Sequence, residues 1–506
     1  MILLINPPVS KPSEPPAGIA HLAGSLRHNG LKCRVIDANI GGLQHLLKRS
    51  VVADDTWTRR AVKNREQNFR FLQDSSGYDS FERYKRAVAD LGRALEKAVP
   101  DERIRVGLAN YQDQELSPVR SRDLLQAAAA PEENPFYAYY QESILPAVLD
   151  PAVKAVGISM GFLSQALCGF ALIGLIKKMR PNLTVILGGG LMTSWIRRPG
   201  WHNPFEDLVD HLVAGPGEVQ LLKLMGKSDF KSGYIPDYTE FLDAPYLSPG
   251  FVLPYSASSG CYWHRCSFCP ERAENNPWEP VPSDQVVSHL KTLVKKHNPV
   301  LVHLLDNALQ PALLKAMAAD PIGAPWYGFV RLTRHLEDPM FCSRLRQSGC
   351  RMLKIGLESG NQAVLNALDK GTDLTVAAPI LANLRQAGIA TYVYLLFGTP
   401  AEDEQAAEET LAFSARHSDG IGFLNLAIFN LPLNSPDAAA IATQDFYTGD
   451  LSFYQDFEHP HGWNRVRVRG FLEKKFKKHP RIAPIVRRDP PVFTSNHAPF
   501  FIPRDL

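Results

Sequence analysis

Six short apolar runs follow one another between residues 250 and 430, and this spacing constrains the fold more than any other feature. They are Val252–Ser256, Val300–Asp306, Trp326–Arg331, Met352–Glu358, Thr391–Phe397 and Gly422–Phe429. Helical segments lie between them, among them Ser283–His297, Pro339–Gln347 and Leu374–Gln386, with Ser283 placed as an N-cap. Six β/α units in a row predict a partial barrel, open where an eight-unit barrel would close. In such an architecture the chemistry sits at the C-terminal ends of the strands.

A second, shorter alternation opens the chain. Ile2–Asn6 and Lys32–Asp37 read as strands, with a helix over Ile19–His28 ended by Asn29-Gly30. Ala155–Ser159 is a third strand and Leu183–Leu187 a fourth, running into Gly188-Gly189-Gly190. This predicts an open parallel sheet with helices on its faces. Between the second and third strands lies a polar insertion, about residues 43–150. Tyr84, Val88, Leu91, Leu95 and Val99 recur in it at helical spacing. The expected organisation is a sheet domain over 1–226, a Gly/Pro/Asp/Ser-rich linker over 227–250, the partial barrel over 251–435 and a C-terminal extension over 436–506.

Composition excludes little else. Lys+Arg is 55 and Asp+Glu is 52, a net +3, which gives no whole-chain signal for nucleic acid or membrane. No apolar run approaches the roughly 20 residues that span a bilayer, so a cytoplasmic location is expected. The basic stretch from Arg465 to Lys478 reads as a solvated helix face, and the tail Phe493–Phe501 as a specific feature without an assigned role.

Seven cysteines are present, and three of them fall in one short stretch, Cys261-Tyr-Trp-His-Arg-Cys266-Ser-Phe-Cys269. It follows the first barrel strand, where a site belongs. Thiolates are soft ligands for iron–sulfur clusters or zinc. A four-iron cluster held by three cysteines keeps one iron open for a small molecule. The competing reading is a zinc site completed by His264, Cys342 or Cys350.

This motif resembles the radical S-adenosylmethionine superfamily, whose hallmark is three cysteines after the first barrel strand with an aromatic residue before the last, here Phe268. Four residues part Cys261 from Cys266, where the commonest pattern has three. The resemblance covers about residues 250–430. It implies a 4Fe-4S cluster on Cys261, Cys266 and Cys269. It also implies S-adenosyl-L-methionine at the strand ends, met by Phe268, Asp306, Asn307, Arg331 (toward the carboxylate), Glu358 or Ser359 (toward the ribose) and Gly398 (toward the adenine). An external electron donor such as flavodoxin or ferredoxin is implied, with a small-molecule or peptide substrate and no nucleic acid.

The first domain resembles the cobalamin-binding sheet domain, with Asp37, Asn39 and Gly42 after the second strand, then Ser159, Gly188, Gly189 and Gly215. Asn39 stands where the family has a cobalt-coordinating histidine, and Gly161 replaces a leucine. The spacing from Gly42 to Ser159 is wide. A sheet domain with ordinary glycine turns and no cofactor is the plainer alternative. Together the two resemblances imply a cobalamin-dependent radical methyltransferase acting on an unactivated carbon. A cobalamin-associated rearrangement or cyclisation without methyl transfer, radical chemistry without cobalamin, and an iron–sulfur redox or sensor protein are the other readings.

Overall fold

The computed structural model describes residues 1–445, 448–491 and 497–502. Most of the chain falls into two compact units, one built on residues 1–250 and one on the residues from Phe251 onward. Among the described residues no helix is long and apolar enough to cross a membrane.

The first unit is built on five parallel strands, β1 (Ile2–Asn6), β2 (Cys33–Asp37), β3 (Ala155–Ser159), β4 (Thr184–Gly188) and β5 (His211–Leu212). Their order across the sheet is β2-β1-β3-β4-β5. Every β1 residue is buried, as an apolar strand covered on both faces must be. The helix α1 (Ala17–His28) ends at Asn29, and Gly30 then takes φ +75°, the left-handed conformation that stops a helix at glycine. The helix after β3, Leu163–Met179, is buried from Gln165 to Ile176 and apolar all round, so it belongs to the interior. The sheet reverses its winding between β1 and β3, which places the switch-point crevice at the ends of those two strands.

The insertion is mainly helical. Helices Thr56–Phe71 and Phe81–Ala98 pack together, and Tyr84, Val88, Leu91, Leu95 and Val99 are all buried, as their spacing predicts. Phe136 and Tyr140 are fully buried. They belong to the packing of this unit rather than to an open surface. Residues 227–250 carry little regular structure but are well anchored. Asp237 and Glu240 pair with Arg27, and Tyr238, Phe241 and Tyr246 are buried.

The second unit holds six parallel strands, β6 (Val252–Tyr255), β7 (Leu301–Leu304), β8 (Trp326–Val330), β9 (Cys350–Glu358), β10 (Ala390–Phe397) and β11 (Phe423–Ile428). Each pairs with its sequence neighbour, so the sheet order is the chain order. This is the expected open (β/α)6 arrangement. One apolar cluster joins the strand starts: Val252, Leu301, Tyr327, Met352, Tyr392 and Phe423 pack with Ala498 of the C-terminal turn Ala498–Phe501. The N-terminal end of the barrel is therefore filled, and the polar strand ends lie at the other end. His497 is buried beside Tyr392 and Phe423. Of the tail Phe493–Phe501, residues 493–496 lie outside the described residues.

Candidate functional site

The cysteine loop leaves β6 through Ser258–Ser259, which pair with Glu279–Pro280. Gly260 then takes φ +68°, and a Cβ there would sit 2.3 Å from the Pro277 carbonyl, so only glycine fits this turn. Cys266 is buried, and Cys261 and Cys269 are half-buried. Cys269 is the N-cap residue of the short helix Pro270–Ala273 and makes no side-chain cap bond; the nearby N–H groups of Glu271 and Arg272 favour its thiolate. Burial pushes the Cys269 thiol up to about 11, and these N–H groups oppose the rise. Burial also raises Cys266, opposed by the positive charges of Lys370 and Arg331.

The thiols interact in sequence, Cys261 with Cys266 and Cys266 with Cys269. As placed, they do not close on one point: among the described residues no three His, Cys, Asp or Glu side chains form a ligand set. The donor chemistry nevertheless suits an iron–sulfur cluster. Three soft thiols share one loop, beside two cations and two nearby N–H groups that would stabilise thiolate charge. The zinc alternative loses its fourth ligand. His264 Nε2 bonds the Glu271 carbonyl at 3.1 Å. Cys350 begins β9, eight residues or about 26 Å of strand from its functional end. Cys342 donates to the Leu336 carbonyl at 3.3 Å from the helix that precedes β9.

The strand-end residues form a connected group. Asp306, buried after β7, accepts from the Ala257 N–H at 3.0 Å and the Ser258 hydroxyl at 2.6 Å. It thus anchors the start of the cysteine loop. Burial raises its carboxyl, and these donors oppose the rise. Asn307 donates to the Gly260 carbonyl at 3.2 Å. Arg331, buried at the end of β8, stacks 4.0 Å over Trp263, donates to the Lys370 carbonyl and holds Nη1 4.0 Å from Cys266 Sγ.

Glu358 ends β9 at a break in register with β10, in the left-handed region at φ +68°. Strained backbone of this kind persists where its surroundings hold it. Here Lys370 Nζ grips Glu358 Oε1 at 2.8 Å, and both side chains are buried. Gly356 leaves the room, since a Cβ there would lie 2.8 Å from that Nζ. Lys370 also lies 5.6 Å over the Phe268 ring. Ser359 is fully buried, its hydroxyl bonded to Thr410 and the Asn361 N–H, so it presents nothing to a ribose.

Beyond β10, Gly398 takes φ +78° and donates its N–H to Glu402. The Glu402 carboxylate also accepts from Trp463 Nε1 at 3.0 Å and is fully buried. Burial pushes it up to about 7. His459 donates to the Thr399 carbonyl through Nε2 and accepts the His461 and Trp463 N–H groups at Nδ1. Lys370 and Glu402 follow the ends of β9 and β10 by 12 and 5 residues, and His459 and Trp463 lie more than 30 residues beyond β11, so no strand-end pattern marks them; the available signals are the single glycines Gly371 and Gly398.

The first unit distributes its expected residues differently. Asp37 is half-buried, accepting from Asn6, Tyr246 and the Asn39 N–H. Asn39 Oδ1 accepts from the Ser10 N–H at 2.9 Å, and Nδ2 donates to the Ser10 carbonyl at 3.0 Å. Its amide therefore fixes the loop after β1 and is not available to a cobalt. A Cβ on Gly42 would meet the Phe136 ring at 2.9 Å, so this glycine admits the insertion. In contrast Ser159 and Gly188 end β3 and β4, and Gly189 follows at once, all at the C-terminal edge of the sheet. Gly189, at φ +103°, would place a Cβ 2.3 Å from the Met160 carbonyl. Gly161 and Gly190 meet nothing closer than 3.8 Å there, and Phe162 is 54% exposed. Gly215 takes φ +74° and donates to Thr193 Oγ1 at 2.9 Å. Lys11, in the loop after β1, lies in the same switch-point region; burial lowers its ammonium, opposed by Glu14. An open glycine-lined rim suits a large planar cofactor, and Asn39 would give it no ligand from below.

Comparison with known proteins agrees with this geometry. Residues 255–414 match the family model of the Radical SAM superfamily. Bacteriochlorophyllide d C-12(1)-methyltransferase of Chlorobaculum tepidum is 26% identical over 191 residues, which cover 35% of this chain and 41% of that protein. The fold resembles that of the radical S-adenosylmethionine methyltransferase TsrM from Kitasatospora setae, solved with cobalamin and a 4Fe-4S cluster. The TM-score is 0.53 at 16% identity, over 87% of this chain and 77% of that one. It also resembles the cobalamin-dependent S-adenosylmethionine radical enzyme OxsB with aqua-cobalamin, with a TM-score of 0.50 at 14% identity, over 84% of this chain and 53% of that one. The chain thus spans less than two thirds of the bacteriochlorophyllide methyltransferase and about half of OxsB. The likeness to the Radical SAM superfamily thus lies in residues 255–414, within the second unit.

Proposed function

We propose that this chain is a cobalamin-dependent radical S-adenosylmethionine methyltransferase acting on an unactivated carbon. The observation that carries the reading is the run of polar strand ends around the Cys261–Cys269 loop: Asp306, Arg331 and the buried Glu358–Lys370 pair. A redox or sensor protein would have no need of the buried Glu358–Lys370 pair. The three cysteines would hold the cluster, Glu358 would face the ribose, and the Gly398 loop would face the adenine. The rim formed by Ser159, Gly188, Gly189 and Gly215 would carry the corrinoid. When bound, these groups supply the electron, the radical and the methyl group. The chain's own residues position them and exclude water: Asp306 fixes the loop start, Lys370 fixes Glu358, and Glu402 fixes the Gly398 turn.

Likeness to two cobalamin-containing folds and to a methyltransferase supports methyl transfer as the outcome. Anaerobic purification with hydroxocobalamin should leave a corrinoid spectrum on the protein. Turnover with S-adenosylmethionine labelled in its methyl group should add one labelled methylene unit to the product. Protein free of corrinoid, or a product of unchanged mass, would refute the reading.

A further inference from the structure

We infer that Arg331 serves the cluster sulfur rather than the methionine carboxylate, and that the wide spacer between Cys261 and Cys266 carries the residue that holds it there, Trp263. This rests on the reading of the three cysteines as a cluster site.

The spacer is Tyr262-Trp263-His264-Arg265. His264 turns the chain back in the left-handed region, at φ +47°, and its ring is tied to the Glu271 carbonyl. The half-buried Trp263 indole packs against the Asp369–Gly371 segment, and Arg265 of the same loop lies 5.1 Å over its ring. The indole Nε1 donates to the Asp369 carbonyl at 3.0 Å. Against the ring lies Gly371, at φ +65°, where a Cβ would sit 2.2 Å from Trp263 Cζ2. An indole fixed on two sides is a rigid platform, and a guanidinium over its face is held by the ring's negative potential.

Arg331 lies on that platform, 4.0 Å from the ring centroid. One nitrogen bonds the Lys370 carbonyl, and the other, Nη1, stands 4.0 Å from Cys266 Sγ. The side chain is buried, so this charge acts across a poorly screening interior. Its planar fork is engaged on the ring, on a carbonyl and beside a sulfur. To reach a carboxylate elsewhere, it would have to leave all three.

A cation beside a ligating sulfur favours the more negative, reduced cluster, and so raises its midpoint potential. Trp263 is then a positioning residue: it acts only through Arg331.

The test is a mediator-controlled redox titration of the anaerobically reconstituted full chain, followed by electron paramagnetic resonance. Binding of S-adenosylmethionine to the oxidised protein is measured in parallel. Arg331→Gln should shift the midpoint to more negative potential and leave cofactor affinity within about twofold of wild type. Trp263→Ala should shift the midpoint in the same direction, while Trp263→Phe, which keeps a ring face, should not. Should Arg331→Gln take up no cluster, Trp263→Ala and the charge-retaining Arg331→Lys carry the comparison, the lysine variant staying nearer wild type. An unmoved potential in Trp263→Ala would overturn the inference, as would an Arg331→Gln variant with unmoved potential and an affinity loss of about tenfold or more. A wild-type chain that assembles no cluster would instead overturn the cluster reading itself, and this inference with it.

Discussion

Glu402 is a carboxylic acid with no exposure to solvent, held by one backbone N–H and one indole N–H. Its folded value of about 7 lies above the ordinary 4.5 of a glutamate, so between those pH values the folded state holds a proton that the unfolded state has already released. Its contribution to stability is present below about pH 4.5 and is lost as the pH rises to about 7, a difference of about 3 kcal/mol. Glu402→Gln should flatten that dependence when unfolding free energy is measured between pH 5 and 8. An unchanged slope would show that the carboxyl titrates normally. Gly371 makes a second prediction at this scale. A Cβ there meets both a left-handed backbone and the Trp263 ring. Gly371→Ala should cost about 2–4 kcal/mol and shift the tryptophan emission; native stability in that variant would mean that the indole has room to move.

The strands and their order were legible as elements because a buried strand and an amphipathic helix each leave a period in the sequence. All six barrel strands fall where the apolar runs lie, as does the helix that buries Tyr84, Val88, Leu91 and Leu95. The tertiary roles of short motifs were not legible. Asp37 and Asn39 have the look of a cofactor signature, yet their polar atoms serve the loop after β1 and the 227–250 segment. Gly42 admits an aromatic ring from an insertion more than ninety positions away (Phe136), a contact that no local pattern announces. Lys370 was missed for the same reason: its partner Glu358 stands on another element. That pair is the element-scale weak point. Lys370→Ala would leave a buried carboxylate unpaired at a break in strand register, and should cost about 3 kcal/mol in chemical unfolding. A loss below about 1 kcal/mol would show that Glu358 is solvated in the native state.

At the scale of the whole molecule, the chain carries two open parallel sheets, each with its own set of strand ends. In the first, the sheet order places the crevice between the ends of β1 and β3, a position set by topology rather than by any one residue. In the second, the C-terminal turn fills one end of the barrel and the cysteine loop stands at the other. Fold class was therefore readable from alternation alone, whereas the way each sheet uses its glycines required the packed structure. We propose that Cys261, Cys266 and Cys269 hold a cluster that cleaves S-adenosylmethionine. The most direct test is the anaerobically reconstituted chain incubated with dithionite and S-adenosylmethionine, with 5′-deoxyadenosine measured by mass spectrometry. The wild type should yield 5′-deoxyadenosine and Cys266→Ala none. An intact cluster that yields no 5′-deoxyadenosine, or equal yields from both proteins, would contradict this proposal.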